Sequence, residues 1–156
     1  MPDKKTLERA QEDKREGKSP STQAGEFVRE EMDHIREGKH GARSTKQAIA
    51  IGLSKARRAG VALKPPSKGS NTTRRKASQD AAKGRSGRSR RKSATRSRAT
   101  LHALEREGHS AASRTSLARQ ARSSSRRRSA SSRSASARKA ARTRARQRGA
   151  SRSRSR

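Results

Sequence analysis

Arginine is the residue type with the clearest chemical purpose in this sequence. Residues 85–156 contain 22 arginines and 18 serines but only two lysines, and the last six residues alternate serine with arginine. The guanidinium group is planar and can donate two parallel hydrogen bonds to one phosphate, whereas the lysine ammonium acts as a point charge. Arginine at this density predicts a polyanionic partner, and a nucleic acid bound through its phosphates fits best.

The basic residues that we expect to contact phosphate form several groups along the chain. If only eight of the tail's charges neutralised phosphates of duplex DNA, log K would fall with log salt with a slope of about −7. Binding would then be salt-sensitive and largely independent of base sequence. The predicted nucleic-acid-binding residues are a first basic face (Arg43, Lys46, Lys55, Arg57 and Arg58), followed by Arg74, Arg75, Lys76, Arg88, Arg90, Arg91, Arg126, Arg127, Arg128, Arg142, Arg144, Arg146 and Arg148.

Residue types that support catalysis or metal binding form no recognisable pattern. There is no cysteine, and the four histidines, His34, His40, His102 and His109, include no His-x-x-x-His pair. Many structural zinc sites are built from closely spaced ligands of these two types. Neither a Walker loop nor a Gly-x-Gly-x-x-Gly motif is present. We therefore predict a non-enzymatic protein with no metal site, no cofactor and no small-molecule substrate.

The choice between DNA and RNA depends on the aromatic residues. The chain has no tryptophan or tyrosine, and its one phenylalanine, Phe27, falls in an apolar helical stripe. Aromatic platforms that stack unpaired bases are therefore missing, which favours duplex DNA. Because arginine can also stack on bases, an RNA- or ribosome-associated chaperone is an alternative. A further alternative is a protein-interaction adaptor that uses an acidic helix at residues 20–37 and is localised by its polybasic tail.

Composition determines the expected fold class. The 156 residues include 44 Lys and Arg against 13 Asp and Glu, a net charge of +31, and only 12 residues are Leu, Ile, Val or Phe. Disordered chains are typically this charged and this poor in large apolar side chains. We predict an all-α protein, with a small three-helix N-terminal module followed by a largely disordered Arg/Ser-rich tail containing one or two short helices. No stretch is apolar enough to span a membrane, and a soluble, cytoplasmic protein is expected.

Apolar periodicity and helix-ending residues predict the domain organisation. Ala24, Phe27, Val28, Met32 and Ile35 recur with helical period, and the paired prolines at 65–66 interrupt helix formation. Because so few apolar side chains can be buried, self-association through the helix at 20–37 is also expected. The predicted ranges are a 1–64 helical module with helices at about 6–16, 20–37 and 45–59, a 65–99 basic flexible linker, a 100–122 short helical pair and a 123–156 disordered Arg/Ser tail.

A short motif occurs three times. Arg-Glu-Gly followed by Lys or His lies at residues 15–18, 36–39 and 106–109, and hydroxyl residues follow each copy. Glycine commonly follows the end of a helix, and serine or threonine commonly begins the next one. Two explanations fit the motif equally well. It either reflects the residues that commonly end one helix and begin the next, or it results from an ancient duplication of a helix-turn-helix-like unit.

The segment that begins Ser21-Thr22-Gln23-Ala24-Gly25-Glu26-Phe27, continues through Gly38-Lys39-His40-Gly41-Ala42-Arg43-Ser44-Thr45-Lys46-Gln47 and ends near Gly60 is distinctive. It resembles a family of small basic bacterial proteins that carry a domain of unknown function. The resemblance covers residues 1–65, and the unit at 106–121 is similar to the same family. It implies a histone-like, DNA-binding role at the bacterial nucleoid and brings no mapped site residues. The tail is richer in arginine and serine than the Lys/Ala tails of histone-H1-like bacterial proteins.

Overall fold

A computed structural model describes residues 2–87 and 93–154, without the side chains of 147–154. These residues are helical with no strand, and the chain divides into two compact units, Met1–Leu117 and Ala118–Arg156. The helices are α1 (Lys4–Arg15), α2 (Pro20–Arg36), α3 (Thr45–Arg58), α4 (Asn71–Ser86), α5 (Ala94–Glu105), α6 (Arg114–Arg126) and α7 (Ala130–Arg154), and a 3₁₀ turn covers Ser110–Ala112.

The prediction of a largely disordered tail is wrong. Helices α4 to α7 occupy most of the segment predicted as a flexible linker, a short helical pair and a disordered end. The prediction gave too much weight to repulsion between like charges and too little to intrinsic propensity. Alanine is the strongest helix former and arginine is among the next strongest, and both are abundant in the tail beside serine.

Serine begins six of the seven described α-helices. The Ser44 hydroxyl accepts the backbone N–H of Gln47 at 3.2 Å at the start of α3, and Ser19 accepts that of Thr22 before α2. The same bond, at 3.1 to 3.4 Å, begins the four helices of the tail, from Ser70, Ser93, Ser113 and Ser129. Each bond satisfies a backbone donor that has no partner inside the helix, and such a cap contributes about 1 kcal/mol.

Two apolar clusters lie one after the other along α2 in the first unit. Phe27 packs with Ala10 of α1 and Ala56 of α3 in the first cluster, to which Leu7, Leu53, Val61 and Leu63 add partly buried side chains. Met32 and Ile35 form the second cluster with Ala48 of α3. The N-terminal half of α2 therefore contributes to the first core and its C-terminal half to the second.

The second cluster is completed by residues distant in sequence. Ala111 and Ala112 of the 3₁₀ turn are buried in it, and the Thr45 hydroxyl donates to the Ala111 carbonyl at 2.7 Å. The loop after α2 also pairs with the loop after α5, since the Ala42 N–H donates to the Gly108 carbonyl at 3.1 Å. The second and third copies of the Arg-Glu-Gly motif are thus neighbours in space.

Helix α4 packs against the end of α3 through its smallest residues. Ala77 and Asp80 are buried, and a Cβ atom built on Gly84 would lie only 2.0 Å from the Arg57 carbonyl oxygen. Glycine is the only residue that allows this approach without a backbone shift. The contact fixes one face of α4 against the first unit and leaves the others exposed.

The second unit has no comparable core. Its 39 residues contain no Leu, Ile, Val, Met or aromatic residue, and none of its described side chains is buried. Helix α7 has 25 residues and is about 38 Å long at 1.5 Å per residue. Side-chain bonds support its first turns, where the Arg128 guanidinium donates to the Ser132 carbonyl at 2.9 Å.

Candidate nucleic-acid interface

The first basic face is divided by the fold into exposed and internal residues. Arg43 and Lys46 are exposed at the start of α3, and Arg58 is exposed at its end. Lys55 is half-buried and Arg57 is buried. Three of the five predicted residues are therefore available to a phosphate backbone.

Lys55 belongs to an internal ion-pair network. Its ammonium lies 2.7 Å from Glu31 Oε2 and 3.1 Å from Glu30 Oε1, and both glutamates are buried on α2. Burial, the largest single influence, lowers the pKa of Lys55. The hydrogen bonds and the charges of the two glutamates outweigh burial, so that the pKa is raised above its ordinary value. Lys55 thus holds α3 against α2 and does not face outward.

Arg57 has a similar internal role. Its guanidinium donates to the Lys64 carbonyl at 3.4 Å, and its Nε has no hydrogen-bond partner. The backbone carbonyl of the same residue is the atom on which Gly84 packs. Arg57 therefore lies between α4 and the segment that follows α3, where a phosphate backbone does not reach it.

Helix α4 presents the next group of predicted residues at the surface. Arg74, Arg75 and Lys76 are all exposed, and they surround the side of α4 opposite to its packed residues. Lys83 and Arg85, one to three turns further along, are exposed as well and were not among the predicted residues. Helical spacing in the sequence could have identified them. Lys83 lies seven residues after Lys76, and Arg85 lies eleven residues after Arg74.

Part of the charge near α4 is neutralised locally. Asp80 is buried, accepts the Ser54 hydroxyl at 2.6 Å, and lies 3.8 Å from the Arg58 guanidinium. Arg58 also donates to the Ser54 carbonyl at 3.2 Å. Arg58 is therefore a weaker candidate for phosphate contact than the exposed basic residues of α4.

The second unit combines exposed basic residues with a complete lack of acidic ones. It has 15 Lys and Arg and no Asp or Glu, whereas the first unit has 29 basic and 13 acidic residues. Among the predicted residues, Arg126, Arg127, Arg128, Arg142, Arg144 and Arg146 are all exposed. Further exposed basic residues there, which were not predicted, are Arg119, Arg122, Arg133, Arg138 and Lys139.

Helical spacing distributes the charges of α7 around its axis. At 100° per residue, Arg133 and Arg144 fall on one side, and Arg138, Lys139, Arg142 and Arg146 spread over the opposite half. Like charges at this density repel one another unless anions intervene. The remaining predicted residues, Arg88, Arg90, Arg91 and the side chain of Arg148, lie outside the described residues.

Basic residues near the N-terminus pair with carboxylates. Arg9 and Arg29 lie 3.9 and 3.7 Å from Glu26, and the Lys18 ammonium lies 2.7 Å from both Asp13 and Glu16. Hydrogen bonds to Asp13 and then Glu16 raise the pKa of Lys18 well above its ordinary value. The N-terminal helices therefore use their positive charge within the fold.

No helix within residues 2–87 and 93–154 has the length and apolar character needed to cross a membrane.

Comparison with known proteins finds one family. The sequence model of a family of unknown function (DUF6496) matches residues 13–69. The matched stretch contains α2 and α3, begins near the end of α1 and stops before α4. No curated protein and no solved structure matches the chain.

Proposed function

We propose that this protein binds duplex DNA without catalysis and largely without regard to base sequence, in the manner of a histone-like protein of the bacterial nucleoid. One observation carries the proposal. The basic side chains that the structure describes in the second unit are exposed, most of them on helices, and that unit contains no Asp or Glu to compete with phosphate for them. The first unit, in contrast, neutralises much of its own charge.

Binding would be driven mainly by counterion release. Each phosphate that a lysine or arginine neutralises frees condensed cations, and this contributes about −0.9 to the slope of log K against log salt on duplex DNA. Anions along α7 would also relieve the repulsion between its arginines. Binding of DNA phosphates would therefore also stabilise the helices of the second unit.

The distribution of charge favours backbone contact over base readout. Base readout requires side chains fixed against base edges by a packed scaffold. Helix α7 has arginines on more than one side and no apolar side chain larger than alanine to dock it. Exposed Arg43, Lys46, Arg74, Arg75 and Lys76 would add phosphate contacts from the first unit.

The test is a competition experiment with the full-length protein. A labelled 30-base-pair duplex is bound at salt concentrations of about 50 to 200 mM, and unlabelled duplex, single-stranded DNA and structured RNA compete for the protein. We expect duplexes of unrelated sequence to compete equally and the affinity to fall steeply with salt. Preferential competition by RNA or single strands, or no binding in dilute buffer, would overturn the proposal.

A matched pair of triple variants separates charge that has no carboxylate partner from charge that is paired. Replacing Arg142, Arg144 and Arg146 with glutamine removes three exposed charges, and the slope should fall by about 2.7. The advantage of the wild type should then shrink roughly 40-fold between about 50 and 200 mM salt, since a slope difference of about 2.7 acts over a fourfold change. The control replaces Arg9, Lys18 and Arg29, which pair with carboxylates. Equal losses in both triple variants would contradict the assignment of the second unit as the main contact.

A further inference from the structure

Three side chains to which the sequence assigned no role lie together where α2 ends. Glu31 and His34 are three residues apart on α2 and therefore share a face, and His40 lies in the loop that leads to α3. One ligand atom of each residue, a carboxylate oxygen or an imidazole nitrogen, lies within 4.8 Å of those of the other two. The sequence pattern does not reveal this group, because His40 comes near the other two residues only through the turn at Gly38. In this turn the Lys39 N–H donates to the His34 carbonyl at 3.0 Å.

The contact between His40 and Glu31 is the most informative in the group. His40 Nδ1 lies 3.1 Å from the Gly41 carbonyl oxygen. A carbonyl can only accept, so Nδ1 carries the hydrogen, and in the neutral ring Nε2 presents a lone pair. That nitrogen lies 3.4 Å from Glu31 Oε1. Two acceptors that face each other at this distance repel unless a cation lies between them.

The carboxylate of Glu31 strengthens this conclusion. Its side chain is only 1% exposed, and Oε1 has no hydrogen-bond partner. The Lys55 ammonium occupies the side of the other oxygen, Oε2, at 2.7 Å. A buried carboxylate oxygen without a partner is costly, so Oε1 is available for a ligand with positive charge.

We propose that Glu31, His34 and His40 bind a zinc ion. Two donors on one tetrahedral zinc, each at about 2.0 to 2.1 Å, lie about 3.3 Å apart, close to the distance between Glu31 Oε1 and His40 Nε2. The His34 and His40 rings have centroids 6.0 Å apart and planes at 87°, so the two rings are close but do not stack face to face. Neutral imidazole and carboxylate are ligands that zinc accepts readily, and water completes the fourth position.

The residues around the ligands have the arrangement that a zinc site needs. His34 Nε2 lies 3.2 Å from Asp3 Oδ2, which leaves Nδ1 as the nitrogen for the metal. The backbone N–H of Asp3 in turn donates to Glu30 Oε2 at 3.1 Å. A carboxylate that holds the second nitrogen of a ligand histidine fixes the ring and makes it a better donor. His40 is held in the same way by the Gly41 carbonyl.

The charge of the groups in direct contact also favours a cation. Asp3, Glu30 and Glu31 supply three negative charges, and Lys55 supplies one positive charge, so the cluster carries a net charge of −2 with neutral histidines. A divalent ion at Glu31 Oε1 brings the total to zero. It would join the end of α2 to the loop before α3, independently of any nucleic acid.

Metal titration of the full-length protein tests the site. Metal-free protein in a phosphate-free buffer is titrated with Co²⁺, monitored by visible absorption, and with Zn²⁺, monitored by calorimetry. We expect one tight equivalent of Zn²⁺ per chain and cobalt bands of tetrahedral intensity, which excess Zn²⁺ abolishes. Absence of saturable binding would overturn the proposal and leave a shared proton as the cation between Glu31 and His40.

Variants identify the ligands and keep the test decisive. His40→Ala and Glu31→Gln should weaken zinc binding more than about 100-fold, and Asp3→Asn by about 10- to 100-fold, because outer carboxylates contribute that much to metal affinity. Far-ultraviolet circular dichroism checks that each variant is folded. If His40→Ala does not fold, Asp3→Asn and the wild-type cobalt spectrum still decide the outcome.

The matched control is His102 on α5. It lies three residues from Glu105, as His34 lies from Glu31, and its Nδ1 is 3.2 Å from the Glu105 carboxylate. This pair is exposed and belongs to no three-ligand group within the described residues. His102→Ala should leave zinc binding unchanged. An equal loss in His102→Ala and His40→Ala would show scattered surface binding and overturn the assignment.

Discussion

The two units of this protein use the same basic side chains for different purposes. In Met1–Leu117, several lysines and arginines meet carboxylates, as Lys55 does with Glu30 and Glu31 and as Arg9 does with Glu26. In Ala118–Arg156 there is no carboxylate, and the nearest acceptors of Arg128 are serine oxygens. Internal pairs hold helices together in the first unit, whereas the charges of the second remain available to an external anion.

The comparison teaches that a count of charges does not locate an interface. Lys55 and Arg57 stand among the basic residues of α3, but neighbouring helices take both into the fold. Arg142 and Arg144 have no such neighbours and remain exposed. The role of each basic residue is therefore determined by whether a carboxylate or carbonyl lies within reach.

The largest effect is expected from removal of the buried ammonium. Lys55→Met leaves the two buried glutamates next to each other without a counter-charge, and breaking a buried pair in this way costs about 3 to 5 kcal/mol. We expect the urea midpoint, followed by circular dichroism, to fall sharply while affinity for duplex DNA in dilute urea-free buffer changes little.

Lys18→Met is the matched control, because its ammonium also lies 2.7 Å from a carboxylate but its side chain is 35% exposed. Water screens this pair, so the midpoint should move far less. If both variants lost the same stability, burial would not be the property that distinguishes structural from available charges.

A smaller loss of stability is expected when the contact between α4 and the end of α3 is crowded. Gly84→Ala places a methyl group 2.0 Å from the Arg57 carbonyl oxygen and should cost about 1 to 3 kcal/mol of unfolding free energy. Gly25→Ala is the control, since its Cβ meets nothing within 4 Å and alanine favours the helix by up to about 1 kcal/mol. Equal denaturation midpoints would show that α4 is not part of the folded first unit.

The shape of the cation should matter less than its charge. Replacing Arg142, Arg144 and Arg146 with lysine keeps the charge but loses the planar pair of donors. We expect affinity for duplex DNA to fall by less than about tenfold with an unchanged salt slope, because bidentate bonds add to counterion release without replacing it. A lower slope in fluorescence anisotropy titrations would show that lysine fails to reach the phosphates.

The smallest effect concerns pH in the alkaline range. The pKa of Lys18 is raised in the folded protein, so its pairs stabilise the fold at neutral pH and lose that effect as pH rises above the ordinary value of 10.5. The difference in melting temperature between the wild type and Lys18→Met should be constant up to about pH 10 and shrink above it. A difference that persisted at higher pH would arise from packing of the side chain.

Local signals in the sequence predicted helices well where apolar residues and caps coincide. The stripe from Ala24 to Ile35 and the capping residue Ser44 lie in α2 and at the start of α3, as the pattern indicated. In the tail, serines that begin helices resemble the serines of an Arg/Ser repeat, and only the spacing to the following alanines distinguishes them. This is why α4 and α7 were not predicted, and why α5 and α6 were predicted only as a short helical pair at 100–122.

Contacts that depend on tertiary structure could not be predicted. The ion pairs of Lys55, the burial of Arg57 and the approach of His40 to Glu31 each require the turn of a loop or the angle between two helices. A single sequence specifies residue types at such positions but not which residues meet. Exposed Arg74 and Arg75 were identified because exposure of charged residues needs no tertiary information.

The second apolar cluster has a consequence for the order in which the chain folds during synthesis. Ala111 and Ala112, which complete it, bind Thr45 and Arg36 across sequence separations of 66 and 76 residues. A nascent chain that has emerged only as far as residue 69 would carry α2 and α3 without the two alanines that complete the cover of Met32 and Ile35. More than two thirds of the polypeptide must therefore leave the ribosome before the second cluster can be completed. Closing a loop over such a sequence separation also slows folding.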